Sequence, residues 1–228
     1  GRAYGVFVQD SLAYVADELG GLQIFRVTDP AHPGLAGSYN TPDLAYDVFV
    51  RDSLVYVADY DKGLQIVNVS DPAHPDWVGS YDTPSYAEGV FIQDNLAYVA
   101  DCWSGLQIIR VSDPEHPGLV GTYSTPGRAL GVFVQDSLAY VADYDRGLQI
   151  INVADPTDPD SVGSYNTPGS AYGVFVRDSL AYVADYDSGL QIIKVKDPAH
   201  PSLVGTYDTP GHAYRVFIKD SLAYVADD

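Results

Sequence analysis

A repeat of 42 residues runs through the whole chain and constrains its fold more than any other feature. Sliding the 228-residue sequence against itself by 42 positions aligns one valine per copy: Val6, Val48, Val90, Val132, Val174 and Val216. Each valine is followed by Phe, a β-branched residue and a short polar turn. Repeats of this size are typical of stacked supersecondary units, none of which can bury its apolar faces alone. The fold can therefore be predicted from a single unit.

One unit contains four short apolar runs separated by turn residues. Around Val48 the runs are "AYDVFV", "LVYVAD", "GLQIVNV" and "WVGSYDT". Their length and their Val, Ile and Tyr content favour strands, and no segment has a sustained 3.6-residue period. The polar "RDS" at 51–53 and Gly63 after "DYDK" are typical of tight turns. Four strands in a repeat of about 40 to 45 residues predict the four-stranded meander that forms one blade of a β-propeller.

The number of repeats leaves the closure of the ring open. Complete units start near residues 1, 43, 85, 127 and 169, and residues 211–228 supply only the first two strands of a sixth. The sequence predicts one β-propeller domain over residues 1–228, with five complete blades and a half blade. We favour a six-bladed ring with an incomplete last blade over a five-bladed ring, because the half blade keeps every apolar position. A third possibility is that the exposed edge of strand 222–227 pairs with another chain.

Three segments carry a resemblance to a known family. The strings "LQIVNVSDP", "YVADYDKG" and "VGSYDTP" resemble the LVIVD-type β-propeller repeats of microbial surface and secreted proteins. The resemblance extends over the whole chain and implies a propeller with an extracellular or cell-surface location. It brings no general catalytic signature.

Composition narrows the possible partners. Twelve Lys and Arg stand against 31 Asp and Glu, giving a net charge of −19, so nucleic acid and anionic membrane surfaces would be repelled. No apolar run approaches the roughly 20 residues that cross a bilayer, so membrane insertion is not expected. The absence of Met predicts a processed form, a fragment or an engineered sequence. Cys102 is the only cysteine, and we expect it to be an exposed or half-buried replacement for the Tyr found in other copies.

The motif "DYDKGLQI" has three possible meanings: a calcium loop, a catalytic carboxylate pair or a hairpin turn. Its first aspartate ends strand two in all six copies, whereas the second is Asp61, Asp145 or Asp187 in three copies and Leu19 or Trp103 in two others. Calcium loops assemble six to eight oxygen ligands, and no further carboxylate follows at the required spacing. We expect a hairpin turn, with no cofactor. Weakly bound calcium stays the alternative, on the pairs Asp59 and Asp61, Asp143 and Asp145, and Asp185 and Asp187.

The copies differ most in two loops that the alternation of antiparallel strands places on the same side. These are the turn between strands two and three and the connection from strand four to the next blade. We expect them to form a binding surface rich in aromatic rings and acids, since loops on a rigid scaffold commonly carry recognition. Its candidate binding residues are Tyr4, Tyr46, Tyr60, Asp61, Tyr86, Trp103, Tyr144, Asp145, Tyr172, Tyr186, Asp187, His212 and Tyr214.

These observations predict a non-catalytic interaction module that binds a protein or a glycan. No copy acquires a nucleophile, a base or a metal-ligand cluster of its own, so we identify no catalytic residues and do not expect an enzyme. The alternative is a self-assembling subunit that forms dimers or filaments through strand 222–227. A hydrolase or lyase acting in the central channel is a minor alternative. The recurrent Gln and His residues are expected to be structural, the Gln bonding between strands or blades and the His lying in turns.

Overall fold

The computed structural model describes all residues 1–228 and contains 22 strands and no helix. The strands form five four-stranded antiparallel sheets and one two-stranded sheet, as the repeat predicts. We call each sheet a blade and the two-stranded sheet the half blade. No helix is present that could cross a membrane.

The strand boundaries repeat with the period of the sequence. Blade 1 comprises β1 (Gly5–Gln9), β2 (Leu12–Ala16), β3 (Leu22–Arg26) and β4 (Gly34–Tyr39). Blade 2 comprises β5 (Asp47–Arg51), β6 (Leu54–Ala58), β7 (Leu64–Asn68) and β8 (Asp76–Tyr81). Blade 3 comprises β9 (Gly89–Gln93), β10 (Leu96–Ala100), β11 (Leu106–Arg110) and β12 (Gly118–Tyr123). Blade 4 comprises β13 (Gly131–Gln135), β14 (Leu138–Ala142), β15 (Leu148–Asn152) and β16 (Asp160–Tyr165). Blade 5 comprises β17 (Gly173–Arg177), β18 (Leu180–Ala184), β19 (Leu190–Lys194) and β20 (Ser202–Tyr207), and the half blade comprises β21 (Ala213–Lys219) and β22 (Leu222–Asp227).

The chain divides into two compact units. Unit 1 contains residues 1–101 and 108–119, and unit 2 contains residues 102–107 and 120–228. The prediction of a single domain, and that of a six-bladed ring over a five-bladed one, stay predictions.

Both turns within a blade use backbone conformations that the sequence indicates. The hairpin between the first two strands has a two-residue loop, and its aspartate adopts a positive φ, 56° at Asp52. Short polar side chains such as Asp tolerate this region better than most residues do. The second turn ends in glycine, with φ of 63° at Gly63, where a Cβ would overlap the backbone of Tyr81 and Thr83.

Neighbouring blades pack face against face in a constant arrangement. In unit 1 the face of blade 1 that carries Tyr14 and Ile24 packs on the face of blade 2 that carries Val48, Val50 and Val57. We call the first kind of surface the front face of a blade and the second kind the back face. Equivalent pairs join the front of blade 2 to the back of blade 3, the front of blade 4 to the back of blade 5, and the front of blade 5 to the half blade. Burial of these apolar faces is the main stabilising term of the fold.

The innermost strands and the outermost strands add specific contacts between blades. Phe7 and Phe49 have ring centroids 4.9 Å apart, and Phe133 and Phe175 repeat the contact at 4.8 Å. On the outer strand β8, a Cβ at Gly79 would overlap the carbonyl oxygen of Pro114 in the next blade. The recurrent "DP" turn of one blade therefore requires glycine on the fourth strand of the preceding blade.

Candidate functional site

The two variable loops meet between neighbouring blades, on the side that strand alternation predicts. The residue after the strand-two aspartate forms an antiparallel bridge with the connection into the next blade, as Tyr60 does with Ala87 and Tyr144 with Ala171. Both residues have a left-handed backbone, with φ of 39° at Tyr60 and 45° at Tyr144. Tyrosine rarely adopts this conformation, and the bridge to the next blade maintains it. The bridge places the residue after the strand-two aspartate beside the connection into the next blade.

In unit 1 the predicted aromatic residues form one continuous stack. We call the set Tyr4, Tyr46, Tyr60 and Tyr86 the tyrosine row. The ring centroids are 4.7 Å apart for Tyr4 and Tyr46, and 5.2 Å apart for Tyr46 and Tyr60. Tyr60 and Tyr86 are nearly parallel, at 4.3 Å and 4°. Such stacking restrains the rings relative to one another.

Acidic side chains lie close to the tyrosine row. Burial is the main cause that raises the pKa of Tyr46, and the nearby carboxylates of Glu88 and Glu18 raise it further. Asp43, in the connection between blades 1 and 2, accepts a hydrogen bond from the backbone N–H of Asp61 at 3.1 Å. Aromatic rings beside carboxylates are suited to cationic groups.

In unit 2 an arginine enters the aromatic set. The guanidinium carbon of Arg128 lies 3.8 Å from the ring centroid of Tyr144 and 5.4 Å from that of Trp103. Both distances lie within the range of a cation–π interaction. Trp103 remains 68% exposed, so most of its indole stays available to a ligand.

The rings of unit 2 continue from Tyr144 toward the half blade. Tyr144 meets Tyr172 edge-on at 5.7 Å, and Tyr172 is 5.1 Å from Tyr186. His212 stacks on Tyr186 at 4.1 Å and its Nε2 lies 3.1 Å from Oδ1 of Asp187. Burial, followed by interactions with Tyr186, raises the pKa of Tyr214 to about 12. We call the set Trp103, Arg128, Tyr144, Tyr172, Tyr186, His212 and Tyr214 the mixed row.

The aspartates that end strand two are structural. Asp59 is fully buried, and its Oδ2 accepts a hydrogen bond from the backbone N–H of Asp43 at 3.1 Å. In blade 3 the hydroxyl of Thr83 donates to Oδ1 of Asp101 at 2.6 Å. Each carboxylate thus ties the end of strand two to the connection that arrives from the preceding blade.

Burial changes the acidity of these carboxyl groups. It raises the pKa of Asp59 and of Asp143 to about 6, and it raises the pKa of Asp185. Oδ1 of Asp59 and Oδ1 of Asp143 are buried and have no hydrogen-bond partner. Their neutral forms are therefore favoured in mildly acidic solution.

The second acids of the motif lie in a different environment. Asp61, Asp145 and Asp187 are exposed, whereas the first acid of each pair is buried. Asp187 contacts His212, and Oδ2 of Asp145 lies 3.7 Å from Nε of Arg146. No group of three or more His, Cys, Asp or Glu side chains comes together as a metal-ligand set. Weak calcium binding at these pairs stays a prediction.

The recurrent glutamines and histidines have partners within turns. Nε2 of Gln65 donates to the carbonyl of Lys62 at 2.8 Å, and Gln149 donates to Arg146 at the same distance. The expectation of a structural role is consistent with these bonds, but the partner expected between strands or blades was wrong, because each amide donates to a carbonyl three residues earlier in its own turn. The histidines lie in exposed turns, with Nδ1 of His74 2.8 Å from Oδ2 of Asp71.

Cys102 corrects a second expectation. Its side chain is buried, and its backbone bridges to Ala129 in the position that Tyr60 has in blade 2. Its neighbour Trp103 is exposed. The loop pattern alone did not separate the buried residue from the exposed one.

Sequence comparison of the copies identified the rings but not the charges that contact them. Arg128, Glu18 and Glu88 were not among the candidate binding residues, although all three interact with the rows. Position 128 is His212 in the half blade and Tyr86 in blade 3. The signal was partial: Arg, Tyr and His can stack on an aromatic ring, whereas Leu44 and Ser170 in two other copies cannot.

A groove in unit 1 includes in its lining Lys62, from the turn that carries Tyr60. It has a volume of about 420 Å³ and includes Tyr39 of β4 and Trp77 of β8 in its lining. Trp77 is 54% exposed. The chain has only two tryptophans. Trp77 lines the groove and Trp103 belongs to the mixed row, so each labels a different surface.

The repeated meanders, packed front to back, define the protein as a β-propeller. The LVIVD repeat family matches five consecutive segments: residues 1–41, 44–83, 84–125, 126–167 and 168–209. The chain belongs to this family. The resemblance seen in the sequence is therefore confirmed.

Solved structures support the fold over nearly the whole chain. A functionally unknown protein from Desulfotomaculum acetoxidans DSM 771 is 15% identical, with a TM-score of 0.79 over 96% of this chain and 73% of that one. The β-propeller domain of Myceliophteria thermophila Cps50 (Swd1) is 11% identical, with a TM-score of 0.74 over 94% and 75%. The computationally designed Ika8 protein is 7% identical, with a TM-score of 0.74 over 99% and 68%. No curated protein sequence matches the chain.

Proposed function

We propose that this propeller is a non-catalytic interaction module, located outside the cell or on its surface, that binds a protein or a glycan through the tyrosine row and the mixed row. The observation that carries the proposal is the contact between variable residues. Side chains from separate blades join in continuous aromatic sets, while the residues common to all copies are used for packing.

The chemistry of the rows suits two kinds of ligand group. The exposed indole of Trp103 offers a flat apolar surface of the kind on which sugar rings stack. Arg128 beside it adds a hydrogen-bond donor, and the exposed Asp145 follows Tyr144, the other ring that Arg128 contacts. The tyrosine row, with Glu18 and Glu88 nearby, favours a lysine or arginine side chain of a protein partner.

The arrangement of the acids argues against catalysis. General acid–base chemistry by two carboxyl groups needs environments that separate their pKa values in one place. Asp59 and Asp143 instead lie in separate blades in equivalent environments. Both carboxyl groups are buried, both accept a hydrogen bond from the equivalent backbone N–H, and both have a pKa raised to about 6. This repetition supports a role in holding the blades together.

Binding can be tested with the two tryptophans as a matched pair. The probes are a microarray of glycans and a set of Lys- and Arg-rich peptides, applied to the wild-type chain, Trp103→Ala and Trp77→Ala. We expect Trp103→Ala to weaken the glycan signals by roughly tenfold or more, as loss of an aromatic anchor does. The peptide signals, which the proposal assigns to the tyrosine row, should be unchanged in Trp103→Ala, and Trp77→Ala should change neither. Loss of binding in Trp77→Ala alone would place the site in the groove and contradict the proposal.

A second candidate function is self-assembly through the edge of β22. This strand pairs with β21 and with no other strand. Exposed strand edges can accept a strand from another chain. Light scattering on the intact chain and on a chain that ends at Pro210 tests this role, and equal monomeric masses for both would contradict it.

A further inference from the structure

Arg128 is held between aromatic rings but has no anionic partner within the chain. Its guanidinium carbon lies 3.8 Å from the ring centroid of Tyr144 and 5.4 Å from that of Trp103. Its N–H groups donate no hydrogen bond and pair with no carboxylate, whereas Arg177 donates to the carbonyl of Asp220. The chain has 31 Asp and Glu against 12 Lys and Arg, so acids are plentiful. The donors of Arg128 are therefore available to a group outside the chain.

The backbone on both sides of Arg128 is fixed by the same turns that carry the two rings. The residue before it donates its N–H to Oδ2 of Asp143 at 2.8 Å, and Tyr144 follows this aspartate directly. The residue after it exchanges two backbone hydrogen bonds of 3.0 Å with Cys102, and Trp103 follows this cysteine directly. The guanidinium and both rings are thus preorganised, and a ligand need not order their backbone on binding.

The chemistry of the guanidinium defines the group that fits it. Stacking uses the flat faces of the guanidinium, whereas its five N–H donors point outward in its plane. Donors in this fork arrangement match the two oxygens of a carboxylate, which accepts two parallel hydrogen bonds. Arg128 is half-buried, and hydrogen bonds are stronger in such surroundings than in open solvent. The unpaired guanidinium therefore favours a carboxylate on the ligand.

The indole of Trp103 sets a second requirement. It is 68% exposed, and its flat apolar surface suits the C–H face of a sugar ring. The equivalent positions in the other complete copies are Leu19, Asp61, Asp145 and Asp187. An exposed indole beside an arginine therefore occurs in this turn and not in its repeats.

The charge of the whole chain limits the number of negative charges on the ligand. A net charge of −19 repels a polyanion. Asp145, the exposed acid that follows Tyr144, has its Oδ2 3.7 Å from Nε of Arg146, which balances its charge. One guanidinium, that of Arg128, is then left to balance one carboxylate. A sugar with a single acidic group fits this site better than a multiply sulfated chain does.

We infer that the mixed row binds a sugar that carries one carboxylate, with the sugar ring on the indole of Trp103 and the carboxylate on the guanidinium of Arg128. The inference rests on the proposed function and specifies its ligand class. Trp103 provides contact with the ring of the sugar, and Arg128 selects the acidic sugars among them.

Acidic sugars and their methyl esters provide the test, because the ester removes the charge and changes the shape little. The probes are the methyl glycosides of glucuronic acid and of N-acetylneuraminic acid, each beside its methyl ester. Ligand-observed nuclear magnetic resonance measures their affinities for the wild-type chain. We expect each acid to bind roughly 10- to 100-fold more tightly than its ester, as a charge-assisted bidentate hydrogen bond provides.

Variants separate the contribution of the charge from that of the ring. Arg128→Gln should bring the ratio of acid to ester affinity close to one, and Arg128→Lys, which keeps the charge but not the fork, should give an intermediate ratio. Trp103→Ala should weaken acid and ester by the same factor, roughly tenfold. Arg110→Gln, at the exposed end of β11, makes the same change in net charge and should keep the wild-type ratio. Circular dichroism checks the fold of each variant, and Arg128→Lys carries the test if Arg128→Gln does not fold.

The results that would overturn the inference differ from those that would overturn the proposed function. Equal affinity for acid and ester in the wild-type chain would overturn the inference alone. An acid preference in Arg128→Gln as large as that in Arg110→Gln would do the same, because the anion would then bind elsewhere. Binding of sulfated sugars or of Asp- and Glu-rich peptides in place of both acids would also overturn it. Failure to bind any sugar, or binding that does not depend on Trp103, would remove the proposed glycan site itself.

Discussion

At the scale of single residues, the buried aspartates make the stability of the fold depend on pH. Asp59 and Asp143 have pKa values raised to about 6 by burial, whereas aspartate in an unfolded chain titrates near about 3.9. Between these values the folded chain holds protons that the unfolded chain has lost. The contribution of these groups is therefore complete below about pH 4 and decreases as the pH rises to about 6.

Replacing one of these carboxyl groups by an amide should remove its part of the pH dependence. We expect Asp59→Asn to match the wild-type free energy of unfolding near about pH 4 and to exceed it by roughly 1 to 3 kcal/mol near about pH 7. Denaturant unfolding across this range measures the effect. Asp61→Asn, two residues further on and exposed, is the control and should keep the wild-type pH profile. Parallel profiles for Asp59→Asn and the wild type would contradict the assignment.

Arg128 is the residue whose role the copies alone did not reveal. Its guanidinium lies between Trp103 and Tyr144, and Arg128→Ala should lower the free energy of unfolding by about 0.5 to 2 kcal/mol. In a Trp77→Phe background, where Trp103 is the only tryptophan, the emission should also shift to longer wavelength. Arg110→Ala, at the exposed end of β11, should change neither. A variant of Arg128 that behaves like that control would show that the stacked arrangement does not persist in solution.

At the scale of elements, the packing of one blade on the next sets requirements on the fourth strand. Gly79 of β8 lies against the carbonyl of Pro114, whereas Gly205 of β20 has only the end of Ile192 near it. We expect Gly79→Ala to lower the free energy of unfolding by roughly 2 to 4 kcal/mol, because backbone must move to admit the methyl group. Gly205→Ala should stay within about 0.5 kcal/mol of the wild type. Equal effects in urea denaturation would contradict this account of the interface.

The elements themselves could be predicted from the sequence because two independent signals agree at each boundary. Short apolar runs such as "LVYVAD" predicted the strands, and the residues around Asp52 and Gly63 predicted turns, which the structure forms with positive φ. The partner of Gln65 could not be predicted in this way. A carbonyl three residues away and a carbonyl on a neighbouring blade are equally compatible with a buried amide, and only the geometry of the turn decides between them.

At the scale of the whole molecule, the constant positions serve packing and the variable positions are those proposed to bind a partner. The constant residues, such as Val48 and Asp59, are buried between blades. The variable ones contact other variable residues within each unit, as Tyr86 does with Tyr60 in unit 1 and Trp103 with Arg128 in unit 2. Their sidedness was predictable from strand alternation. The order of the rings could not be predicted from the sequence, because it depends on the side-chain directions at left-handed turn residues such as Tyr60.

The two rows differ in charge. The tyrosine row of unit 1 lies beside Glu18 and Glu88, whereas the mixed row of unit 2 contains Arg128 and His212. Under the proposed function, the tyrosine row therefore favours a cationic group and the mixed row favours a stacking or anionic group.

The fluorescence of Trp103 tests the assignment of the loop side most directly. In the Trp77→Phe variant the single indole reports on the mixed row, and the probes are the glycans retained by the wild-type chain on the array. We predict a saturable change in Trp103 emission, with a dissociation constant equal to that measured for the wild-type chain by calorimetry. Binding that is confirmed by calorimetry but leaves the emission of Trp103 unchanged would contradict the account.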